Sequence, residues 1–201
     1  MIDFLNIENS EPYKLFQESF KKAKGLEQKN ADAVCLSTLD YEKNEISSRF
    51  VNLKYIVENK WYFFSNYSSK KARDIEKNNQ ISAVLFWQET VTQVRIKAKI
   101  FKATNEFSDT HFMKRSIEKN ALAISSNQSR RIKDLEEVQR KFSNTLTDLK
   151  KKESYERPKY WGGYYFIPYY FEFWEGNKDR VNKRVVFEEI RNKWEKSYLE
   201  P

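Results

Sequence analysis

The stretch that decides the fold covers residues 160–184 and reads YWGGYYFIPYYFEFWEGNKDRVNKR. It holds ten of the 32 aromatic residues of the chain and three of its four glycines. Residues 164–174 are almost continuously aromatic or aliphatic, interrupted by Pro168 and Glu172, which predicts two short strands joined at the proline. In a chain so poor in glycine, Gly162, Gly163 and Gly176 predict turns or close approaches of the backbone.

After Gly176 the segment changes from aromatic to basic. On a strand, Arg180, Asn182 and Arg184 would point to one face, because side chains alternate between the two faces of a sheet. A cationic row beside an aromatic surface suits a planar anionic ligand. A sheet core followed by a solvated edge explains the same pattern, so this segment alone leaves both interpretations open.

The composition indicates one basic domain. The chain has 201 residues and a formal net charge of +8, and no Pro/Gly/Ser-rich linker or repeat divides residues 1–201. Such a charge favours nucleic acid, an anionic membrane surface or a phosphorylated small molecule as partner. Lysines and arginines are interspersed with acids, however, and a solvated surface explains most of the charge without any partner.

The single cysteine and the first residues indicate the compartment. Cys35 lies in an apolar run and has no second cysteine to pair with, so the sequence predicts a buried thiol and no internal disulfide. The start, MIDFLNIENSEPYK, lacks the basic beginning and apolar core of a signal peptide, and no run approaches about 18 apolar residues. We therefore expect a cytoplasmic protein without membrane insertion.

Hydrophobic periodicity predicts a mainly β protein with helices. Residues 12–29 form an amphipathic helical pattern, residues 69–77 a short helix with a serine cap, and residues 105–152 a helical region. Strand patterns cover residues 33–39, 46–56, 60–66, 81–87 and 91–103. Their short spacings favour antiparallel pairing. This α+β pattern is typical of a small closed or split β-barrel with helices packed outside it.

The residues exclude several kinds of chemistry. His111 is the only histidine, Cys35 is alone, and no cluster has a metal-ligand spacing, which argues against hydrolytic triads and against a metal site. Polar residues do occur inside or beside apolar strands, where burial without a partner would cost stability: Arg49, Lys54, Gln93, Gln128 and Ser129. Outward alternation on a half-solvated strand explains Arg49 and Lys54 singly. Together with Lys70, Lys71, Arg115, Arg180 and Arg184, they resemble cations that converge on phosphates.

In their order and spacing, seven segments resemble the pyridoxamine 5'-phosphate oxidases, flavoproteins of the FMN-binding split-barrel type. The segments are RFVNLK from Arg49, FFSNYSSKKARDIEKN from Phe63, TQVRI from Thr92, NQSRRI from Asn127, WGG from Trp161, EFWEG from Glu172 and DRVNKR from Asp179. Each motif alone is weak, but their succession along nearly the whole chain is specific. The resemblance implies one split-barrel domain and a homodimer with FMN at the subunit interface.

The resemblance also implies roles for the matching positions. The implied FMN contacts are Arg49, Phe50, Val51, Asn52, Leu53, Lys54, Phe64, Ser65, Lys70, Lys71, Gln93, Gln128, Ser129, Trp174 and Arg184. Phe64 stands where the family usually has tyrosine. Lys70 and Lys71 open a helix, where free backbone N–H groups and ammonium charge together suit the FMN phosphate.

For the substrate, the resemblance implies that Lys54 and Arg115 bind a phosphate and that Arg180, with Asn182, lies at the catalytic position over a pyridine ring. Here the chain also departs from the family pattern. His111 and Lys119 replace the usual tyrosine and serine of the phosphate site, and Asn182 replaces the histidine of the R-L-H-D-R motif. The family's basic, tyrosine-containing N-terminal segment has no counterpart in MIDFLNIENS.

The activity implied by the resemblance is FMN-dependent oxidation of pyridoxamine or pyridoxine 5'-phosphate to pyridoxal 5'-phosphate, with oxygen as acceptor and hydrogen peroxide as product. Two alternatives remain: a related split-barrel flavoprotein oxidase or reductase acting on another anionic aromatic, and a protein that binds FMN or pyridoxal phosphate with little turnover. A nucleic-acid binder is disfavoured because no recognition-helix or RNP pattern accompanies the basic charge.

Overall fold

The computed structural model describes residues Met1–Pro201 and contains ten strands and five helices. The strands are β1 (Asp3–Leu5), β2 (Ala33–Asp40), β3 (Glu45–Asn52), β4 (Tyr55–Val57), β5 (Lys60–Asn66), β6 (Gln80–Trp87), β7 (Thr92–Lys102), β8 (Trp161–Glu175), β9 (Lys183–Ile190) and β10 (Lys193–Tyr198). The helices are α1 (Glu11–Gly25), α2 (Lys70–Lys77), α3 (Asn105–Met113), α4 (Ile117–Ser125) and α5 (Leu135–Lys150).

All strands belong to one sheet, in the order β1-β4-β5-β8-β7-β6-β2-β3, with β9 paired to β8 and β10 paired to β9. Every pair is antiparallel except β1 with β4, which is parallel and was not predicted. The mainly antiparallel α+β architecture expected from the short strand spacings is confirmed. None of the five helices combines the length and apolar character that crossing a bilayer requires.

Strand β8 organises the sheet. It runs unbroken from Trp161 to Glu175 and pairs with β5 along its first part, with β9 along its last part and with β7 on its other edge. The prediction of two strands joined at Pro168 is therefore wrong. The register between β7 and β8 shifts at Lys97/Ala98, opposite the region of Pro168. An irregularity of this kind lets a strand contain a proline, which has no N–H to donate to the ladder.

The core lies between the sheet and helix α1. Phe16 is fully buried, with its ring centroid 4.3 Å from that of Trp61 and 5.6 Å from that of Trp87. Tyr13, one turn earlier, meets the edge of Phe171 on β8 at 5.4 Å. Aromatic side chains of this size each bury a large apolar area, so α1 fixes the central strands against one another.

Other boundaries differ from the sequence patterns. Residues 46–56 form two strands, β3 and β4, and the helical region 105–152 is three helices. The β9–β10 hairpin was missed; it turns at Arg191 and Asn192, whose φ values are 51° and 61°. Gly162 and Gly163 lie inside β8, so they serve close approaches and not turns, since added Cβ atoms would meet the rings of Tyr67 and Phe64 respectively.

Candidate functional site

A cavity of about 1100 Å³ opens where β3, β4, β5 and the starts of α2 and α4 meet. Asp3 supplies its only carboxylate. Eight basic side chains line it: Arg49, Lys54, Lys70, Lys71, Arg73, Lys114, Arg115 and Lys119. Such an excess of positive charge in one concave site favours an anionic ligand.

A buried hydrogen-bond network holds Arg49 in place. Its Nη1 donates to the Thr38 hydroxyl at 2.7 Å and to the Leu36 carbonyl at 3.3 Å. The Thr38 hydroxyl in turn donates to Asp74 Oδ2 at 2.8 Å, and both Thr38 and Asp74 are buried. Burial lowers the pKa of Arg49. The side chain is thus oriented from behind by a neutral hydroxyl and keeps further donors for a ligand.

Lys71 is the most buried of the cations, at 6 % exposure. Its Nζ donates to the hydroxyls of Ser65 at 2.8 Å and Ser69 at 3.2 Å. Burial, with a smaller contribution from nearby Arg49, lowers its pKa to about 8. Ser69 occupies the predicted cap position of α2, but its hydroxyl accepts from Lys71 and makes no cap hydrogen bond. The backbone amides of Lys70 and Lys71 donate to no protein acceptor, so this helix start can bind an anion.

Two contacts with aromatic rings form the wall near α3. The His111 ring stacks on Phe64 with centroids 3.6 Å apart, and Tyr55 Oη lies 2.9 Å from His111 Nδ1. The Arg115 guanidinium lies over the Trp161 ring at 4.3 Å and donates from Nη2 to the Lys119 carbonyl at 2.8 Å. Burial lowers the pKa of Arg115 to about 10. These contacts restrict the orientation of the His111 ring on Phe64 and of the Arg115 guanidinium on Trp161.

Most of these cations have no counter-ion in the protein. Lys54 pairs with Asp32 at 3.3 Å, and Lys70 pairs with Asp40 at 3.0 Å. No carboxylate lies within 4.0 Å of the other basic groups of the cavity: Arg49, Lys71, Arg73, Lys114, Arg115 and Lys119. Arg49 and Arg115 are half-buried and Lys71 is buried. Burying a cation without a partner is costly, so these three side chains favour an anion in the cavity.

The structure divides the sequence-predicted site residues into two groups. The cavity is lined by most of them: Arg49, Phe50, Val51, Asn52, Lys54, Phe64, Ser65, Lys70, Lys71, His111, Arg115, Lys119, Gln128 and Ser129. Leu53 is fully buried in the core and does not line it. Gln93, Trp174, Arg180, Asn182 and Arg184 lie outside this cavity.

Three of the residues that lie outside the cavity form a second group on β7, β8 and β9. Gln93, Trp174 and Arg184 are direct neighbours across β7, β8 and β9. Arg184 donates from Nε and Nη2 to Glu172 Oε1 at 3.0 and 2.8 Å, while Arg95 donates to Oε2 of the same buried carboxylate at 2.6 Å. We name Gln93, Trp174 and Arg184 the strand row. The carboxylate fixes the Arg184 guanidinium beside Trp174.

The basic face predicted for residues 180–184 is wrong in part. Arg180 and Asn182 lie in the loop before β9, which begins at Lys183. Arg180 has a φ of 63°, and Asn182 Oδ1 accepts from the Asn177 backbone N–H at 3.0 Å. A loop, not strand alternation, therefore presents Arg180, and Asn182 shapes that loop.

Sequence reasoning missed six residues that line the cavity: Asp3, Tyr55, Arg73, Lys114, Ser116 and Trp161. Lys114 adjoins the predicted Arg115, and Tyr55 adjoins Lys54, so both could have been found by extending the motifs by one position. Asp3 had no such signal, because only the parallel pairing of β1 with β4 brings it beside Tyr55.

Comparison with known proteins identifies the family of this chain. Residues 22–147 match the family profile described as pyridoxamine 5'-phosphate oxidase, and residues 161–201 match the pyridoxine 5'-phosphate oxidase C-terminal dimerisation region. The chain belongs to the pyridoxamine 5'-phosphate oxidase family. The resemblance found in the motifs is thereby confirmed.

Individual relatives agree over nearly the full length. A pyridoxine/pyridoxamine 5'-phosphate oxidase from Leptospira biflexa is 36% identical over 191 residues, which cover 95% of this chain and 89% of that protein. The crystal structure of PhzG from Burkholderia lata in complex with tetrahydrophenazine-1-carboxylic acid superposes with a TM-score of 0.89 at 26% identity, covering 96% and 93% of the two chains. An oxidase-related, FMN-binding protein from Nostoc punctiforme has a TM-score of 0.76 at 12% identity, covering 97% and 100%. The split-barrel fold is confirmed.

Proposed function

We propose that this protein is an FMN-dependent oxidase that converts pyridoxamine or pyridoxine 5'-phosphate to pyridoxal 5'-phosphate, using oxygen and releasing hydrogen peroxide. In the amine case, water also hydrolyses the imine product of oxidation, which releases ammonia. The observation that carries the proposal is the cavity itself, where basic side chains without counter-ions lie in two regions. One region lies around Arg49 and Lys71, and the other around His111 and Arg115. FMN and a phosphorylated substrate would each bring one phosphate to such a cavity.

The residues present fit FMN. Arg49, Lys71 and the free amides at the start of α2 would hold its phosphate, since they combine fixed positive charge with several N–H donors. Gln128 Oε1 already accepts from the Ser65 hydroxyl at 3.2 Å and the Asn66 amide at 3.3 Å, so its amide nitrogen remains as a donor. The cavity volume also suffices for a cofactor and a small substrate.

When bound, FMN would supply the two-electron redox chemistry for oxidation of the substrate carbon that bears the amine or alcohol. The protein's part is positioning. Lys54, His111, Arg115 and Lys119 would anchor the substrate phosphate, which fixes the distance from that anchor to the reacting carbon. Arg180 would lie over the pyridine ring. No side chain has to act as a general acid or base in this scheme.

We also propose a homodimer in which the strand row of one protomer completes the cavity of the other. The match of residues 161–201 to a dimerisation region supports this, because that range contains Trp174, Arg180 and Arg184. A two-fold axis would create two equivalent sites, each with a cavity from one protomer and a strand row from its partner. The chain would form one split-barrel domain over residues 1–201 within each protomer.

The test begins with the absorbance of protein saturated with FMN and desalted. We expect a flavin spectrum, and tighter binding of FMN than of riboflavin because the latter lacks the phosphate. Under anaerobic conditions, pyridoxamine 5'-phosphate should bleach that spectrum, and unphosphorylated pyridoxamine at the same concentration should bleach it far more slowly. Absence of flavin binding, or equal rates with the two amines, would contradict the proposal.

A second candidate is favoured by the PhzG superposition. That protein binds a tetrahydrophenazine carboxylic acid, an anionic aromatic without a phosphate. With the same fold, this protein would then oxidise the partly reduced ring of an aromatic carboxylic acid. Faster bleaching by a dihydro-aromatic carboxylic acid than by both phosphorylated vitamers would favour this candidate.

A further inference from the structure

His111 is the only histidine of the chain, and the structure gives it an unusual setting. Its ring lies flat on Phe64, 3.6 Å between centroids at an interplanar angle of 11°, and it lines the cavity. Tyr55 Oη lies 2.9 Å from Nδ1, while Nε2 has no hydrogen-bond partner in the protein. One ring nitrogen is therefore held by the protein and the other is available to a ligand.

Charged groups from every neighbouring element surround this ring. Lys114 and Arg115 follow it at the end of α3, Lys119 belongs to α4, and Lys54 lies between β3 and β4. On β1 and β4, Asp3 and Tyr55 line the same cavity. Burial, followed by the four cations in the order Arg115, Lys54, Lys114 and Lys119, lowers the pKa of His111 to about 4. With the cavity empty, the imidazole is neutral at physiological pH.

We propose that His111 is a proton-coupled specificity residue, which takes up one proton from solvent when the substrate's phosphate dianion binds and then holds that anion as an imidazolium. This inference rests on the proposed function, because it assigns His111 to the phosphate-binding end of the same cavity. It goes further than that function because it states that His111 becomes positively charged only when the ligand binds.

Two contacts in the protein, together with the charge of the ligand, allow both protonation states. The Tyr55 hydroxyl can donate to Nδ1 of the neutral ring and can accept from Nδ1–H of the charged ring, so the pair survives the change. Phe64 presents its face to the ring, which stabilises a cation. A bound dianion also offsets the four cations that disfavour protonation. An opposite charge within about 4–6 Å raises the pKa of such a group by about 1–3, and a dianion acts in the same direction more strongly.

The consequence for affinity has a definite sign. Where the histidine is neutral in the free protein and charged in the complex, binding consumes a proton, so affinity rises as pH falls, by up to about tenfold per pH unit. A singly charged carboxylate would raise the pKa of His111 less and would gain less from it. The coupling therefore favours doubly charged ligands over carboxylates.

A single histidine makes a direct test possible. We would record the imidazole Cε1–H resonance of FMN-saturated protein from pH 5 to 8, without ligand and with saturating sulfate, which remains a dianion over this range. We expect no titration without sulfate and a midpoint above about 6 with it, with the same shift for pyridoxal 5'-phosphate. A ring that stays neutral down to pH 5 with sulfate bound would overturn the inference.

Calorimetry with matched variants separates this inference from the proposed function. In the native protein, sulfate affinity should increase at least about fourfold from pH 7.5 to pH 5.5 at constant ionic strength. His111→Gln and His111→Tyr should lose this slope and should bind sulfate more weakly than the native protein at pH 5.5, because neither side chain can gain a proton. Binding without a slope in the native protein would overturn the inference and leave the proposed function intact. Failure of both sulfate and pyridoxal 5'-phosphate to bind would overturn both.

Discussion

At the scale of single residues, the cavity is defined by how each cation is held. Lys54 and Lys70 are balanced by Asp32 and Asp40. Lys71 is more buried than either, and its Nζ hydrogen-bonds only to the hydroxyls of Ser65 and Ser69. Hydroxyls orient an ammonium group without neutralising it. Lys71 therefore keeps its full charge for a ligand, and its lowered pKa reports the cost of that arrangement when no anion is present.

Lys71 leads to a pH-dependence prediction. Below its pKa of about 8 the ammonium group is charged and attracts the FMN phosphate, and above it the free protein holds a neutral amine. FMN affinity should therefore be constant from pH 7 to just below 8 and should fall by up to about tenfold per pH unit above that. The measurement is fluorescence quenching of FMN on binding, from pH 7 to 9.

Two variants check the assignment to Lys71. Lys71→Met should weaken FMN binding at pH 7 by about 1.5–3 kcal/mol and should remove the fall above pH 8. Lys77→Met, on the exposed end of the same helix where the lysine pairs with Glu42, should change neither. Persistence of the alkaline fall in Lys71→Met would assign it to another group.

At the scale of elements, the sequence predicted which segments are strands better than where they end. The alternation of Val34 and Leu36, or of Val94 and Ile96, is a local signal, and β2 and β7 appear where it predicts them. The ends of β8 are not local, because its pairing with β5, β7 and β9 extends the strand through Pro168. The same limit applies to Arg180, since a left-handed φ in a loop has no signature in an arginine side chain.

The close packing of β8 gives a stability prediction. A Cβ on Gly163 would lie 2.9 Å from Ala103 Cβ and 3.1 Å from Phe64 Cε1. Gly163→Ala should therefore destabilise the protein by about 1–3 kcal/mol through overpacking. It should also displace Phe64, whose ring stacks on His111 in the cavity. Urea unfolding measures the first effect.

Gly25 provides the matched control. It lies at the end of α1, and a Cβ there would have no atom within 4 Å. Gly25→Ala should leave stability unchanged or raise it by about 0.4–1 kcal/mol, because alanine restricts the unfolded chain more than glycine does. Equal effects of the two substitutions would mean that the contact at Gly163 relaxes without cost.

At the scale of the whole molecule, we propose that one protomer carries the cavity of one site and the strand row of another. The sequence motifs identified the strand row and most of the cavity residues, but only the three-dimensional arrangement separates these two groups. The sheet also exposes Phe86, which pairs with Gln93 and is 55% exposed. Phe86 and Trp174 thus place two aromatic side chains beside the polar Gln93 and Arg184, a mixture that is common in protein–protein interfaces.

The division into halves gives the last prediction, a complementation experiment. Arg115→Ala damages the cavity, and Arg180→Ala damages the loop beside the strand row. The Arg180 side chain is exposed and makes no hydrogen bond or ion pair in the protomer, so its loss should not disturb folding. Each variant alone should have little activity with pyridoxamine 5'-phosphate.

If the two halves of a site come from different protomers, a heterodimer has one site with both defects and one with none. Unfolding and refolding an equimolar mixture should then restore about a quarter of native activity, since half of the dimers are mixed and each has one intact site of two. A mixture of Arg115→Ala with Lys71→Met, both in the cavity, should recover nothing, because every site then contains a damaged cavity. Absence of recovery in the first mixture, with dimers present, would mean that each protomer builds its site alone. Recovery in the control would mean that Arg115 and Lys71 are contributed to one site by different protomers, which would contradict the proposed division.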